Sequence, residues 1–172
     1  MGTAGRGTVV RYLLTASLFV LLPVLAGCAG SEPGSERGAR PADEPAGCEP
    51  TRPDMLGPFY EPGAPVRTSV GSGYVLSGAV LAAGDCEPVP EARIEFWLAN
   101  PEGEYDDEHR ATVPVGERGE YRFESSVPVP YDGRPPHIHI RATAPGYREL
   151  VTQHYPEEGQ READLDLVLE PL

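Results

Sequence analysis

Twenty prolines and twenty glycines punctuate this chain of 172 residues, and breakers at that density limit what it can fold into. Proline removes a backbone donor and glycine loses the most entropy on ordering, so neither is tolerated well inside a long helix. No segment sustains a long amphipathic helical period; short alternating runs dominate instead. Over residues 92–99 the alternation sets Ile94, Phe96 and Leu98 on one face and Arg93, Glu95 and Trp97 on the other. Further strands are expected over 74–82, 121–125, 137–144, 149–155 and 163–169, six to eight in all. Turn signals such as Ala83-Gly-Asp, Asn100-Pro-Glu-Gly, Glu117-Arg-Gly-Glu and Ala144-Pro-Gly separate them. This pattern predicts an all-β fold, a single-domain, antiparallel-rich β-sandwich with long active-site loops. Residues 101–115 and 127–136 read as long connections, where sites tend to sit.

The beginning of the chain is expected to lie outside that fold. Arg6 and Arg11 precede a mostly apolar stretch, 12–25, that is short for a bilayer span and closes on Leu25-Ala26-Gly27-Cys28. This reads as a signal peptide over 1–27 ending in a lipoprotein-type box, where small residues precede a cysteine whose sulfur is acylated. Residues 28–47 would comprise lipidated Cys28 and a flexible Gly/Pro/Ser/Glu/Arg tether, and 48–172 the folded domain. The expectation is an exported protein, attached by its lipid to the outer face of a bacterial cell membrane. With Cys28 acylated, Cys48 and Cys86 remain, and outside the cytoplasm they are expected to form a disulfide. The formal net charge is −13, which argues against nucleic-acid partners and against electrostatic membrane binding.

The chemistry is concentrated in Tyr131-Asp-Gly-Arg134-Pro-Pro-His137-Ile-His139. His137 and His139 are two of only four histidines. One residue apart on a strand, they leave from the same face and can share one metal ion. Two imidazoles leave such a site incomplete. Tyr131 and Tyr105 would complete it, and two phenolates select a hard, highly charged ion, which among common biological metals means ferric iron. A trivalent cation can hold a phenol ionised at neutral pH, although its ordinary pKa is near 10. Such a site suits an electron-rich bidentate anion such as a catecholate. An isolated His-x-His is more often a satisfied or exposed pair, and the two tyrosines are what turn the reading toward metal. Tyr121, Tyr147 and Tyr155 read as packing residues, as do Phe96 and Trp97. Glu104, Asp106, Asp107 and Glu108 read as a solvated loop that could repel carboxylated substrates.

Several further pieces carry a resemblance. They are Gly57-Pro-Phe-Tyr60, Leu76-Ser-Gly-Ala-Val, Ala92-Arg-Ile-Glu-Phe-Trp97, Gly103-Glu-Tyr105-Asp, Gly119-Glu-Tyr-Arg-Phe123, Ala144-Pro-Gly146 and Leu150-Val-Thr-Gln153. Together with the Tyr131 to His139 run, and in this order, they resemble the intradiol ring-cleavage dioxygenases, the group containing the catechol and protocatechuate intradiol enzymes. The resemblance implies that Tyr105, Tyr131, His137 and His139 bind one non-haem Fe(III) per chain. It implies that Tyr131 leaves the iron when substrate chelates and helps to take a substrate proton. Arg134 would stabilise the carbanion-like form of the bound ring, with Gln153 as a polar partner. Gly57, Pro58 and Tyr60 would line the substrate mouth. The implied reaction takes a catechol and O2 to a cis,cis-muconate. His109 and His154 have no ligand role in the resemblance, and His154 stands where the family often has an apolar residue, which could alter pocket polarity. The dimerising helical segment of catechol-type members is not matched by the tether, which leaves the oligomeric state open. Two other readings use the same chain: a non-enzymatic, extracytoplasmic β-sandwich binding module, and a zinc or copper enzyme relying on His137 and His139 alone.

Overall fold

A computed structural model describes residues 47–172. The expected signal peptide, Cys28 and the tether as far as Ala46 lie outside the described residues. Two sheets face one another. The first holds β1 (Ser69–Val70), β2 (Gly73–Ala82), β5 (Glu120–Ser126), β8 (Glu162–Asp164) and β9 (Leu167–Leu169), in the order β1-β5-β2-β8 with β9 also on β2. The second holds β3 (Arg93–Trp97), β4 (Arg110–Pro114), β6 (Ile138–Thr143) and β7 (Leu150–His154), in the order β4-β3-β6-β7 and antiparallel throughout. The all-β sandwich expected from the breakers and the alternation is the fold observed.

The strand alternation decides what lies between the sheets. Ile94 and Phe96 from β3, Ile138 and Ile140 from β6, Leu76 and Val80 from β2 and Phe123 from β5 are wholly buried. Phe96 and Phe123 stack across the interior at 4.3 Å between centroids. Burying side chains of this size contributes about 1.5–3 kcal/mol each.

Two expectations need correction. Residues 101–115 are not one long connection, because a 3-10 turn (Asp107–His109) leads into β4. The alternation of Arg110-Ala-Thr-Val is hidden in the sequence because both faces of β4 are covered, so polar Arg110 and Thr112 are as buried as Ala111 and Val113. Residues 163–169 are likewise not one strand. The ladder breaks at Leu165 and Asp166, where Leu165 N–H donates to Ser77 O at 2.7 Å and Ala79 N–H donates to Asp166 Oδ1 at 2.8 Å. Leu165 O there presses on Gly78, whose φ is +155° and which has no room for a Cβ.

Residues 48–67 form a strap over the outer face of the second sheet. Thr51 N–H donates to Val168 O of β9 at 3.0 Å, and Asp54 N–H donates to Val151 O at 2.9 Å on the β7 edge of the second sheet. At the other edge Thr112 N–H donates to Pro65 O at 2.8 Å and Arg67 N–H to Thr112 O at 3.1 Å. Between these anchors the strap buries the outward side chains Glu95, Trp97, Arg110 and His139. The expected disulfide is present: Cys48 at the root of the strap is bonded to Cys86, with Cα atoms 5.2 Å apart. Among the described residues no helix is long and apolar enough to cross a membrane.

Candidate metal centre

The site is laid out along one row of the second sheet. Register places Arg110 opposite Trp97, Trp97 opposite His139, and His139 opposite Gln153, across all four strands. Side chains opposite one another share a face, so this row presents a guanidinium, an indole, an imidazole and an amide to the strap. Trp97 stacks on the His139 ring, 4.9 Å between centroids and 4° from parallel. On the strap side Gly57 closes over the same imidazole: a Cβ built there would lie 2.8 Å from His139 Cε1, and its φ of +78° also favours glycine. Arg110 reaches over the row to the Phe59 carbonyl and so holds the strap in place.

Three donor atoms meet at this point. Tyr105 Oη lies 3.1 Å from His137 Nε2 and 3.1 Å from His139 Nε2, and the two nitrogens are 3.2 Å apart. A triangle with such edges is what ligands about 2.0–2.1 Å from one ion produce at angles near those of ordinary coordination. The protonation states agree. His137 Nδ1–H donates to the Pro135 carbonyl at 2.8 Å, which leaves Nε2 bare. Burial lowers the His137 pKa, with the Arg134 charge acting in the same direction. Burial, the neighbouring His137 and Arg134 pull His139 down to about 3. Both rings are therefore neutral and ready to ligate. Burial pushes the Tyr105 phenol up to about 12, opposed by Arg134; without a cation it stays protonated, and a cation beside it would ionise it. The Met55 carbonyl acts in the opposite direction on His139; it accepts from Gln153 Nε2 at 2.5 Å, and His139 Nδ1 is buried without a hydrogen bond. Among the described residues no group of three or more His, Cys, Asp and Glu could hold a metal, so the mixed His/Tyr set is the candidate donor set. Its two imidazoles and phenol suit a ferric ion.

Tyr105 is held by a short network in its loop. Asn100 Oδ1 accepts from the Glu102 and Glu104 N–H groups at 3.0 and 2.9 Å, and Asn100 Nδ2 donates to Asp106 Oδ2 at 2.8 Å. Asp106 Oδ1 accepts from His109 N at 2.9 Å and lies 2.8 Å from His109 Nδ1. Asp106 is therefore turned inward as a cap, rather than standing with the solvated acids of its loop. Phe59 stacks on Tyr105, 4.5 Å between centroids and 10° from parallel.

The remaining sequence candidates lie at different places around the three donors. Tyr131 sits at the start of a two-residue turn in which Asp132 and Gly133 have φ of 45° and 76°. Its ring meets Tyr105 edge-on at 5.3 Å, and its hydroxyl makes no hydrogen bond among the described residues. Arg134 closes the turn. Its Nη1 is 3.4 Å from His137 Nε2, and its Nη2 donates to Gln153 Oε1 at 2.7 Å. Pro58 lies between Gly57 and Phe59 in the strap. Tyr60 directs its hydroxyl away from the donors, to Glu95 Oε2 at 3.1 Å, and accepts from Arg141 at 3.1 Å. His154 is on the opposite face of β7, because strand alternation turns it inward from Gln153; its Nε2 is 2.6 Å from Tyr74 Oη. It therefore contributes nothing to the polarity of the site. Sequence reasoning overlooked Asp54 and assigned Tyr155 to packing. The Tyr155 hydroxyl in fact accepts from Arg134 Nη2 at 2.8 Å and lies 3.0 Å from Asp54 Oδ2. The only signal in the chain was the period of two that puts Tyr155 on the same face as Gln153.

Comparison with known proteins agrees with this arrangement. No family model matches the chain. The chain is 31% identical over 160 residues to the 6-chlorohydroxyquinol 1,2-dioxygenase of Cupriavidus pinatubonensis, covering 73% of this chain and 56% of that protein. It spans about half the length of the curated relatives it matches, between 46% and 66% for three of them. An intradiol ring-cleavage dioxygenase from Tetranychus urticae shares the fold, with 17% identity and a TM-score of 0.64 over 73% of this chain and 96% of that one. The dioxygenase domain of a dioxygenase carbohydrate-binding protein fusion from Streptomyces sp. SirexAA-E is 30% identical, with a TM-score of 0.65, over 72% of this chain and 100% of that domain. Relatedness at that level over an entire solved domain, together with curated relatives of one kind, places this chain in the intradiol ring-cleavage dioxygenase family.

Proposed function

We propose that this chain cleaves a catechol-type ring between its two hydroxyl-bearing carbons, adding both atoms of O2 to give a cis,cis-muconate-type product. The observation that carries the reading is the triangle of Tyr105 Oη, His137 Nε2 and His139 Nε2, with edges of 3.1–3.2 Å, beside the Arg134 guanidinium. Tyr105, His137, His139 and Tyr131 would hold one ferric ion. When bound, that ion withdraws electron density from a chelated catecholate and makes the ring, rather than O2, the activated partner. One O2 adds to one catechol, so the atoms and electrons balance without an external reductant.

The chain's own groups supply the rest. Tyr131 has an uncommitted hydroxyl at the edge of the site and is placed to exchange a proton with an incoming catechol hydroxyl. Arg134 Nη1 faces the donors and stabilises negative charge as it develops on the ring. Phe59 and Trp97 hold Tyr105 and His139 by stacking, which fixes the donors before substrate arrives. The test is a visible absorption spectrum of the iron-loaded protein before and after catechol is added without O2. A broad phenolate-to-iron band that moves to longer wavelength on adding catechol is the expected result. A protein that stays colourless after ferric iron is supplied would sink the reading, leaving the non-enzymatic binding module to be tested next.

Residues 1–28 support a second part of the proposal, attachment to the outer face of a bacterial cell membrane through acylated Cys28. In a bacterial host the full chain is expected in the membrane fraction, and Cys28→Ser is expected to move it out of that fraction. Equal membrane recovery of both would count against the anchor.

A further inference from the structure

Arg134 reaches the donors from a two-residue turn, and a long arginine side chain so placed has rotamer freedom to lose before it can point anywhere in particular. Two acceptors take up its Nη2. Gln153 Oε1, at 2.7 Å, comes from the row that also carries His139. The Tyr155 hydroxyl oxygen, at 2.8 Å, comes from the same face one residue past the end of β7. With Nη2 engaged, Nη1 is the nitrogen left facing His137 Nε2.

The Tyr155 hydroxyl has one proton. Two acceptors lie within its reach, Gln153 Oε1 at 2.9 Å and Asp54 Oδ2 at 3.0 Å, and the charged carboxylate is the stronger of the two, so that proton goes to Asp54. Asp54 is fixed in turn: its Oδ1 accepts from Met55 N–H at 2.6 Å, and its own N–H donates to Val151 O at 2.9 Å. The result is a continuous chain, guanidinium to phenol to carboxylate, charge-assisted at both ends. Tyr155 is 41% exposed, so its hydroxyl is not required to complete a core.

Resting on the reading above, we propose that Tyr155, anchored by Asp54, is a positioning residue that sets the direction of Arg134 toward the reacting ring. Because Arg134 acts on charge that develops during the reaction, losing its alignment lowers kcat more than it raises KM. For Tyr155→Phe we expect kcat for catechol to fall about tenfold, with KM within about twofold, the size expected for one hydrogen bond to a charged group. Asp54→Ala, which frees the phenol to turn toward Gln153, should lower kcat about threefold. In an Arg134→Ala background, Tyr155→Phe should add nothing, because the group it positions is gone. A second readout does not depend on turnover. In arginine side-chain 15N NMR of the full chain, the Arg134 Nε–H should be rigid in the wild type and mobile in Tyr155→Phe. Tyr155 and Arg134 effects that multiply, or an Arg134 equally rigid in both proteins, would overturn the proposal. If the wild type does not cleave catechol, the proposed activity fails and the NMR comparison alone decides the positioning role.

Discussion

His139→Ala is expected to give a folded domain that neither retains iron nor cleaves catechol. His139 provides one of three donors that lie within 3.1–3.2 Å of one another, and the other two cannot fill its place because each is fixed from behind. His137 is tied to Pro135 O, and Tyr105 is stacked under Phe59. The loss in turnover should be at least about 10³-fold, since about 4 kcal/mol of transition-state stabilisation depends on a complete centre. The fold should survive. His139 faces outward to the strap, the core on the other side of β6 is untouched, and the substitution removes a buried Nδ1 that has no partner. Iron per chain, visible absorbance and far-UV circular dichroism together check this. Full iron retention in His139→Ala would remove His139 from the ligand set. Adding Tyr105→Phe with Tyr131→Phe as a separate variant distinguishes the metals. The ferric reading expects that variant to lose its iron and its visible band, whereas a zinc or copper site on His137 and His139 would keep its metal.

The second large effect concerns the strap. Removing the Cys48–Cys86 disulfide by serine substitution at both positions should destabilise the domain by about 4 kcal/mol on the chain-entropy account, given a sequence separation of 38. The thermal midpoint should fall by about 15 °C for a domain of this size. The strap carries Gly57 against His139 and Phe59 against Tyr105, so loosening its root should also weaken the centre. On heating, the visible band of the variant should vanish before its far-UV signal does, whereas in the wild type the two should vanish together. A midpoint within a few degrees of wild type would show that the sheets hold the strap without the disulfide.

The sequence made some of this legible and concealed the rest for identifiable reasons. Ile94, Phe96 and Leu98 announced β3 because one face of that strand is apolar and the other polar. The His-x-His spacing announced a shared face because strand geometry leaves no alternative. β4 was concealed because Arg110 and Thr112 look like solvent-facing residues and are instead buried under residues that lie some fifty positions earlier. Asp54 and Tyr155 were concealed for a related reason: 101 positions separate them, and nothing local marks either as the other's partner. Tyr60 was placed at the mouth by the resemblance of Gly57-Pro-Phe-Tyr60 to a family segment, and the bonds of its hydroxyl to Glu95 and Arg141 could not be read from that segment. Much of what remained illegible was a contact between the strap and the distant strand it crosses; the break of 163–169 against β2 was a non-local contact of another kind.

Those distances in the chain have a kinetic consequence. The strap's partners include Val151, Gln153 and Val168, about one hundred residues downstream. Closing loops of that length is slow and is rewarded only once the receiving strands exist. In any synthesis that proceeds from the amino terminus, the roof of the centre is therefore the first part made and the last to find its place. Until β7 emerges, the row of Trp97, His139 and Gln153 is incomplete and the strap lacks its Val151 anchor, so the three donors have no fixed geometry to offer an ion. Metal acquisition in this fold should therefore follow completion of the chain rather than accompany it.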